Sequence, residues 1–130
     1  MRKVHSQAAP APVGPYSQAI RCGGFIFLSG QIPLDPATDA LVAGGIEAQT
    51  EQVLANLSAV LEAAGSSLNR VIRTTVYVVD MGLFPQVNAV YARHFAESPQ
   101  PARATVAVAA LPLGAQIEID AIAEAPAEGG

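Results

Sequence analysis

The chain contains no tryptophan and a single cysteine, Cys22, in 130 residues. One cysteine excludes an internal disulfide and a multi-cysteine metal cage, and it fits a reducing compartment such as the cytoplasm. Charged residues are also scarce, at 14% of the chain, and the net charge is −4. A nucleic-acid partner needs a basic surface, and the seven dispersed Lys and Arg residues do not predict one.

Long apolar runs are missing as well, although 51% of the residues are hydrophobic. No stretch approaches the roughly 18 residues that a membrane-spanning helix requires. The first ten residues carry two basic side chains without an apolar stretch behind them, so we expect no secretory signal. The length predicts a single domain over 1–130 with one core, and we expect a cytoplasmic protein with no membrane partner.

What is present is an alternation of strand and helix patterns. The patterns predict strands over 16–22 and 25–31, followed by a loop over 33–45 and a helix over 46–64 that ends at Gly65. They then predict a strand over 71–79 and a second helix that starts near Asp80 and Pro85. Two final strands are predicted around Arg103 and Glu118. This ββ-α-β-α-ββ order predicts an α+β fold, a mixed β-sheet with two helices on one face.

Four finer expectations follow from the same patterns. The final strands suggest a hairpin, and Gln49 and Asn56 are expected on the polar side of the first helix. The core is expected over about 9–123, with a flexible N-terminal lead-in and a flexible tail over 125–130. The sheet face without helices carries apolar residues, which predicts self-association.

Arg103 and Glu118 are conspicuous because each stands among Val, Ile and Ala in a chain with few charges. Arg103 is expected either to form a structural ion pair or to bind a small carboxylate ligand. The planar guanidinium group matches the geometry of a carboxylate. Glu118 and Asp120 point away from Ile117 and Ile119. Asp120 is interpreted as solvated. Glu118 is either solvated too or a general base close to Arg103.

The remaining polar candidates have ordinary structural explanations. Ser29 is expected to satisfy a backbone group, since His5 and His94 offer it no evident base. Tyr16 is either an aromatic at the core edge or a ligand contact, and Asn88 is most simply a polar residue on a helix.

Six segments in unbroken order resemble the RidA family, the reactive-intermediate (imine) deaminases. They are Gly14-Pro-Tyr16-Ser-Gln-Ala, Ser29-Gly-Gln-Ile-Pro-Leu-Asp-Pro, Gln49-Thr-Glu-Gln-Val-Leu-Ala-Asn-Leu, Val87-Asn88-Ala-Val-Tyr91, Pro101-Ala-Arg103-Ala-Thr-Val and Ile117-Glu118-Ile-Asp-Ala-Ile-Ala. The similarity spans roughly Ala9 to Ala123. Each segment alone is weak evidence, and six with the right spacing are strong evidence.

The resemblance implies a chorismate-mutase-like fold and a homotrimer with clefts between subunits. It implies hydrolysis of 2-imino acids, or of the tautomeric 2-aminoacrylate released by pyridoxal-phosphate enzymes, to 2-keto acids and ammonia. It implies no metal and no organic cofactor. The alternatives are a non-catalytic trimer that binds small carboxylates and, less compatible with an acidic chain, a ribonuclease or translation inhibitor.

The resemblance also implies roles for individual residues. Arg103 matches the arginine that binds the substrate carboxylate, and Glu118 matches the glutamate that activates water. Tyr16, Ser29 and Asn88 match polar residues of the cleft. The residue two positions after the arginine is a cysteine in some family members and is Thr105 here, which removes a thiol from the expected substrate-binding site.

Overall fold

The computed structural model describes residues 1–127, and residues 128–130 lie outside the described part. Within it the chain forms eight strands and two α-helices, in the order β1 (Arg2–Val4), β2 (Ala19–Cys22), β3 (Phe25–Gln31), β4 (Leu34–Asp35), β5 (Ala40–Leu41), α1 (Ile46–Ala63), β6 (Val71–Val78), α2 (Phe84–His94), β7 (Ala102–Ala107) and β8 (Ile117–Glu124).

Six strands form one sheet with the spatial order β1-β2-β3-β8-β6-β7, and β4 and β5 form a separate two-stranded hairpin. Neighbouring strands of the large sheet are antiparallel, except that β6 and β7 are parallel and are connected through α2. Both helices contribute side chains to a single core against one sheet face. The predicted α+β architecture is therefore confirmed.

Helix α1 occupies almost the predicted range because its apolar residues recur at helical spacing. Four of these residues, Val53, Leu54, Leu57 and Leu61, are fully buried. The helix ends before Gly65, whose φ of +79° is left-handed and is adopted by glycine at little cost.

Gln49 and Asn56 are buried, so the prediction of a polar solvent-facing side was wrong at these two positions. The Asn56 amide donates to the carbonyls of Leu34 (2.9 Å) and Ile32 (3.3 Å). The Gln49 carbonyl accepts from the backbone N–H of Gln116 at 3.0 Å. Buried amides need such partners, and these loop carbonyls and amides come from segments distant in sequence.

The predicted hairpin between the last two strands is also wrong. Strand β8 lies between β3 and β6, and β7 lies on the far side of β6. The physical reason is burial. Ile117, Ile119, Ala121 and Ala123 of β8 form a continuous buried row that needs a central position, whereas every residue of β7 is partly or fully exposed. An edge position suits such a strand.

Both ends of the chain are more structured than the sequence predicts. Strand β1 pairs with β2 through contacts such as Val4 opposite Ala19. In the predicted tail, Ala125 is buried and donates its N–H to the carbonyl of Gly24 at 2.9 Å. The rest of that predicted tail, 128–130, lies outside the described residues.

The sheet face opposite the helices exposes apolar side chains. Phe25 and Phe27 are 48% and 45% exposed, and Val106 on β7 is 42% exposed. The two phenylalanine rings pack edge to face, with their ring centres 6.4 Å apart. We call this surface the open sheet face. Among residues 1–127, no helix is both long and apolar enough to cross a membrane.

Candidate functional site

Glu118 lies on the open sheet face because strand periodicity turns it away from its neighbours in the core. Ile117 and Ile119 are fully buried on the helix side, while Glu118 is partly buried opposite Tyr77 of β6. Burial raises the pKa of the Glu118 carboxyl, and the nearby charge of Asp120 raises it further. A carboxylate whose pKa is raised is a stronger base than an ordinary carboxylate, which favours a role in accepting a proton.

A β-bulge in β3 shapes the space beside this carboxyl. Leu28 pairs with Ala121 but Gln31 pairs with Ile119, so β3 has one extra residue in this stretch. The stretch contains Gly30, where an added β-carbon would lie 2.8 Å from Cδ of Glu118. Glycine is therefore required for the Glu118 side chain to occupy its position.

Ser29, also in the bulge, satisfies backbone groups, as predicted from the sequence. Its hydroxyl donates to the carbonyl of Ser17 at 2.7 Å, and its N–H donates to the carbonyl of Gln18 at 2.9 Å. The hydroxyl oxygen retains lone pairs that can accept a hydrogen bond from a ligand.

A cleft of about 660 Å³ opens beside Glu118. Its polar lining includes Tyr16, Ser29 and Glu118, and its apolar lining includes Val13 and Leu113. Tyr16 is half exposed, so its hydroxyl is available to a ligand. We call this group of residues the Glu118 cleft.

One wall of the Glu118 cleft depends on Gln18, which the sequence analysis did not identify. Its buried amide accepts from the N–H of Ser6 (2.6 Å) and donates to the carbonyls of Ser6 (3.0 Å) and Pro10 (2.9 Å). These bonds hold the lead-in segment against the cleft, where Pro10 and Val13 form part of the lining. Sequence offers no local signal for an amide that bonds 8 to 12 residues away.

Arg103 lies elsewhere, on the edge strand β7, with its side chain over α2. Its Nη1 donates to Oδ1 of Asn88 at 2.8 Å. The guanidinium carbon lies 4.7 Å from the ring centre of Tyr91 and 5.2 Å from that of Phe84. Arg103, Asn88, Tyr91 and Gln100 line a hollow of about 590 Å³. We call this group the Arg103 edge.

The structure does not support the ion-pair explanation of Arg103. Among residues 1–127, no Asp or Glu lies within ion-pair distance of its guanidinium. Thr105 follows two residues later on the same side of β7 and is partly buried, opposite Val76 in the parallel register.

Glu118 and Arg103 lie on opposite faces of the sheet. Arg103 stands beside Thr74, which is buried on the helix side, whereas Glu118 stands beside Tyr77 on the open sheet face. The expectation that Glu118 lies close to Arg103 is therefore wrong within a single chain. The six predicted site residues separate into two groups: Tyr16, Ser29 and Glu118, and Asn88, Arg103 and Thr105.

His94 and Asp120, two other titratable candidates, have partners of their own. His94 Nε2 lies 2.7 Å from Oε2 of Glu51, and Arg93 donates to the same carboxylate at 2.9 Å. Asp120 lies on the outer face of the sheet, as predicted, but it is only partly exposed and accepts a hydrogen bond from the hydroxyl of Tyr77 at 3.0 Å. In residues 1–127, no three His, Cys, Asp or Glu side chains are grouped so that they could hold a metal ion.

Known proteins are similar to this chain in sequence. A family model described as Endoribonuclease L-PSP matches residues 6–125. A RutC family protein of Pyrococcus horikoshii is 55% identical over 92% of this chain and 94% of that protein. The 2-iminobutanoate/2-iminopropanoate deaminase of Mus musculus is 48% identical over 95% of this chain and 91% of that protein.

Solved structures agree with the sequence comparison. The crystal structure of RidA from an Antarctic Psychrobacter species has a TM-score of 0.91 at 43% identity, covering 95% of this chain and 99% of that chain. The α+β fold is the chorismate-mutase-like fold of those neighbours. Because the family model matches nearly the whole chain and the relatives are close, this protein belongs to the endoribonuclease L-PSP family, which includes the RidA proteins.

Proposed function

We propose that this chain hydrolyses 2-imino acids, and 2-aminoacrylate after its tautomerisation, to 2-keto acids and ammonia. One observation carries the proposal: the chain presents a partly buried carboxylate in a cleft and, separately, an arginine that no described carboxylate neutralises. These are the two groups that a carboxylate-bearing imine requires. Support also comes from the 48% identical mouse relative, whose name states this activity.

Arg103 supplies the anchor in this proposal. A guanidinium binds a carboxylate through two parallel N–H donors, which fixes the orientation as well as the position of the acid. Asn88 accepts from one N–H of Nη1, which leaves other N–H donors of the fork for the ligand. Anchoring the carboxylate places the adjacent C=N carbon at a defined distance from the water that attacks it.

Glu118 supplies the base. Its carboxylate takes a proton from a water molecule while the water oxygen bonds to the imine carbon and the C=N electrons move to nitrogen. Glu118 returns this proton to the nitrogen, which gives an aminoalcohol. The hydroxyl proton of the aminoalcohol then passes to the amino nitrogen as the C–N bond breaks and the C=O bond forms, so that the nitrogen leaves as ammonia. The products are a 2-keto acid and ammonia. Tyr16 and the lone pairs of Ser29 can hold the attacking water, and no cofactor enters these steps.

Because the two groups lie on opposite faces of one sheet, we propose that the reaction occurs between copies of the chain. A homotrimer would place the Arg103 edge of one subunit against the Glu118 cleft of the next, giving three equivalent clefts. The exposed Phe25 and Phe27 on the open sheet face support this proposal, since apolar patches of this kind are usually buried in oligomers. A cytoplasmic location remains a prediction of the sequence.

The test uses threonine dehydratase to generate 2-iminobutanoate and follows the decay of the imine. The parent protein should accelerate decay, and Glu118→Gln should reduce the rate roughly a hundredfold because it cannot accept the proton. Glu124→Gln is the matched control, since Glu124 is on the same strand but exposed and paired with Arg70. Arg103→Lys should raise KM, because lysine lacks the planar fork.

The alternative functions give different results in the same experiments. A small-carboxylate binding module would bind 2-oxobutanoate without accelerating decay of the imine. A ribonuclease, the activity named in the description of the family model, would degrade RNA and leave the imine unaffected. Either result would contradict the proposed function.

A further inference from the structure

Three residues of α2 contact the same guanidinium. Phe84, Asn88 and Tyr91 are separated by four and three positions, which places them on one side of the helix. Two of them present aromatic rings to the guanidinium carbon of Arg103, at 5.2 and 4.7 Å from the ring centres, and Asn88 accepts a hydrogen bond from Nη1 at 2.8 Å.

The Tyr91 ring is itself held firmly. Its hydroxyl shares a buried hydrogen bond of 2.7 Å with the hydroxyl of Thr74, and its ring packs against Phe95 with centres 4.5 Å apart. Thr74 is the register partner of Arg103 in the parallel pair of β6 and β7. The ring is therefore fixed relative to the strand position from which Arg103 extends.

The contacts with α2 limit the mobility of the Arg103 side chain. Arg103 stands on an exposed edge strand, where a long side chain would sample many rotamers and would have to be ordered on binding. Aromatic faces attract a guanidinium without using any of its N–H donors. The rings can therefore order the side chain and leave the donors not bound to Asn88 for a carboxylate.

We propose that Tyr91, assisted by Phe84, is a positioning residue that sets the affinity of the Arg103 edge for carboxylates. Tyr91 acts through Arg103 and needs no contact with the ligand. The inference rests on the proposed function in taking the carboxylate of a 2-imino acid or a 2-keto acid as the ligand. In this proposal, an arginine on a solvent-exposed strand binds its ligand as a pre-ordered group.

The test compares three variants of the full chain. Tyr91→Leu removes the ring, Tyr91→Phe keeps the ring and removes the hydroxyl, and Val90→Ala is a matched control on the same helix. Val90 is fully buried in the core, so its truncation lowers stability without touching Arg103. Each variant is assayed for binding of 2-oxobutanoate by calorimetry and for KM and kcat of imine hydrolysis.

Tyr91→Leu should weaken 2-oxobutanoate binding and raise KM by roughly tenfold, with a smaller change in kcat. Tyr91→Phe should recover most of the affinity, and Val90→Ala should bind as the parent does. A purely structural role predicts the opposite pattern, with loss of binding following loss of thermal stability in all three variants. That pattern, or parent-like binding by Tyr91→Leu, would overturn the inference.

A second measurement requires no ligand. Protons of the Arg103 side chain near the Tyr91 face should show an upfield ring-current shift in NMR spectra of the parent. The shift should persist in Tyr91→Phe and disappear in Tyr91→Leu, and its absence from the parent would overturn the inference. If the parent binds 2-oxobutanoate and fails to hydrolyse the imine, only the proposed function is refuted, and the binding series still decides the role of Tyr91.

Discussion

The backbone of Gly30 approaches the side chain of Glu118 so closely that no β-carbon fits between them. A β-carbon at Gly30 would lie 2.8 Å from Cδ and 3.0 Å from Cγ of Glu118. The atoms it meets belong to the side chain that the proposed reaction uses. The β-bulge of β3 and the carboxylate of β8 therefore form one unit.

We expect Gly30→Ala to displace the Glu118 carboxylate and to reduce kcat by at least about tenfold, because misplacement of a catalytic group by about 1 Å has effects of this size or larger. The fold should survive, since the exposed part of the Glu118 side chain can move. Gly24→Ala is the control, because a β-carbon there would meet nothing within 4 Å. Parent-like kinetics of Gly30→Ala, measured in the imine assay, would show that the position of Glu118 is not critical.

The raised pKa of Glu118 predicts how stability varies with pH. The folded chain keeps this proton to a higher pH than the unfolded chain does, so the free energy of unfolding falls as pH rises between the two pKa values. The Glu118→Gln variant has no carboxyl group at this position, so its stability does not depend on this proton. The variant should therefore become more stable relative to the parent as pH rises from about 4 to about 7. Urea unfolding at both pH values measures this difference, and an equal difference at both would refute the prediction.

Asp120 should shift the pH dependence of the rate. Its charge contributes to the raised pKa of Glu118, and hydrolysis needs Glu118 ionised. Asp120→Asn should lower that pKa and move the acid limb of the kcat/KM profile to lower pH. Asparagine keeps an oxygen that can accept from Tyr77. A limb that stays in place, as we expect for Glu124→Gln, would mean that Asp120 does not influence the base.

Mixing two inactive variants tests whether a cleft takes residues from two chains. In a trimer formed at random from equal amounts of Glu118→Gln and Arg103→Ala chains, about a quarter of the clefts would combine an intact Glu118 with an intact Arg103. Activity should return after the two are unfolded and refolded together, and should not return when each is refolded alone. No recovery in a mixed trimer confirmed by mass spectrometry would contradict a shared cleft.

The elements of the fold were predictable where local patterns decide them. The 3.6-residue recurrence of Val53, Leu57 and Leu61 defines α1, and the alternation around Ile117 places Glu118 on the face away from the core. Pairing of strands was not predictable in the same way. A two-residue period shows that a segment is a strand but does not identify its neighbour, so β7 and β8 were wrongly paired.

The candidate site was predictable only in part, for a related reason. The resemblance identified Arg103, Glu118 and the polar residues around them, whereas the contacts that position these residues depend on tertiary structure. Gln18 bonds to a segment 8 to 12 residues away in sequence. In the sequence, Tyr91 has the pattern of an ordinary core residue on an amphipathic helix, and only the position of β7 shows that Arg103 lies over its ring.

Gln18 has a consequence for exchange with solvent at the start of the chain. Its amide holds residues 6 to 10 against the Glu118 cleft. The N–H of Ser6 donates to the side chain of Gln18, which is 1% exposed. This N–H should exchange with deuterium as slowly as the amides of the sheet, although it belongs to no strand. Shortening the chain past Ser6 would strip the Gln18 amide of two partners at once, and the region around the Glu118 cleft would then open to solvent far more often than the rest of the fold.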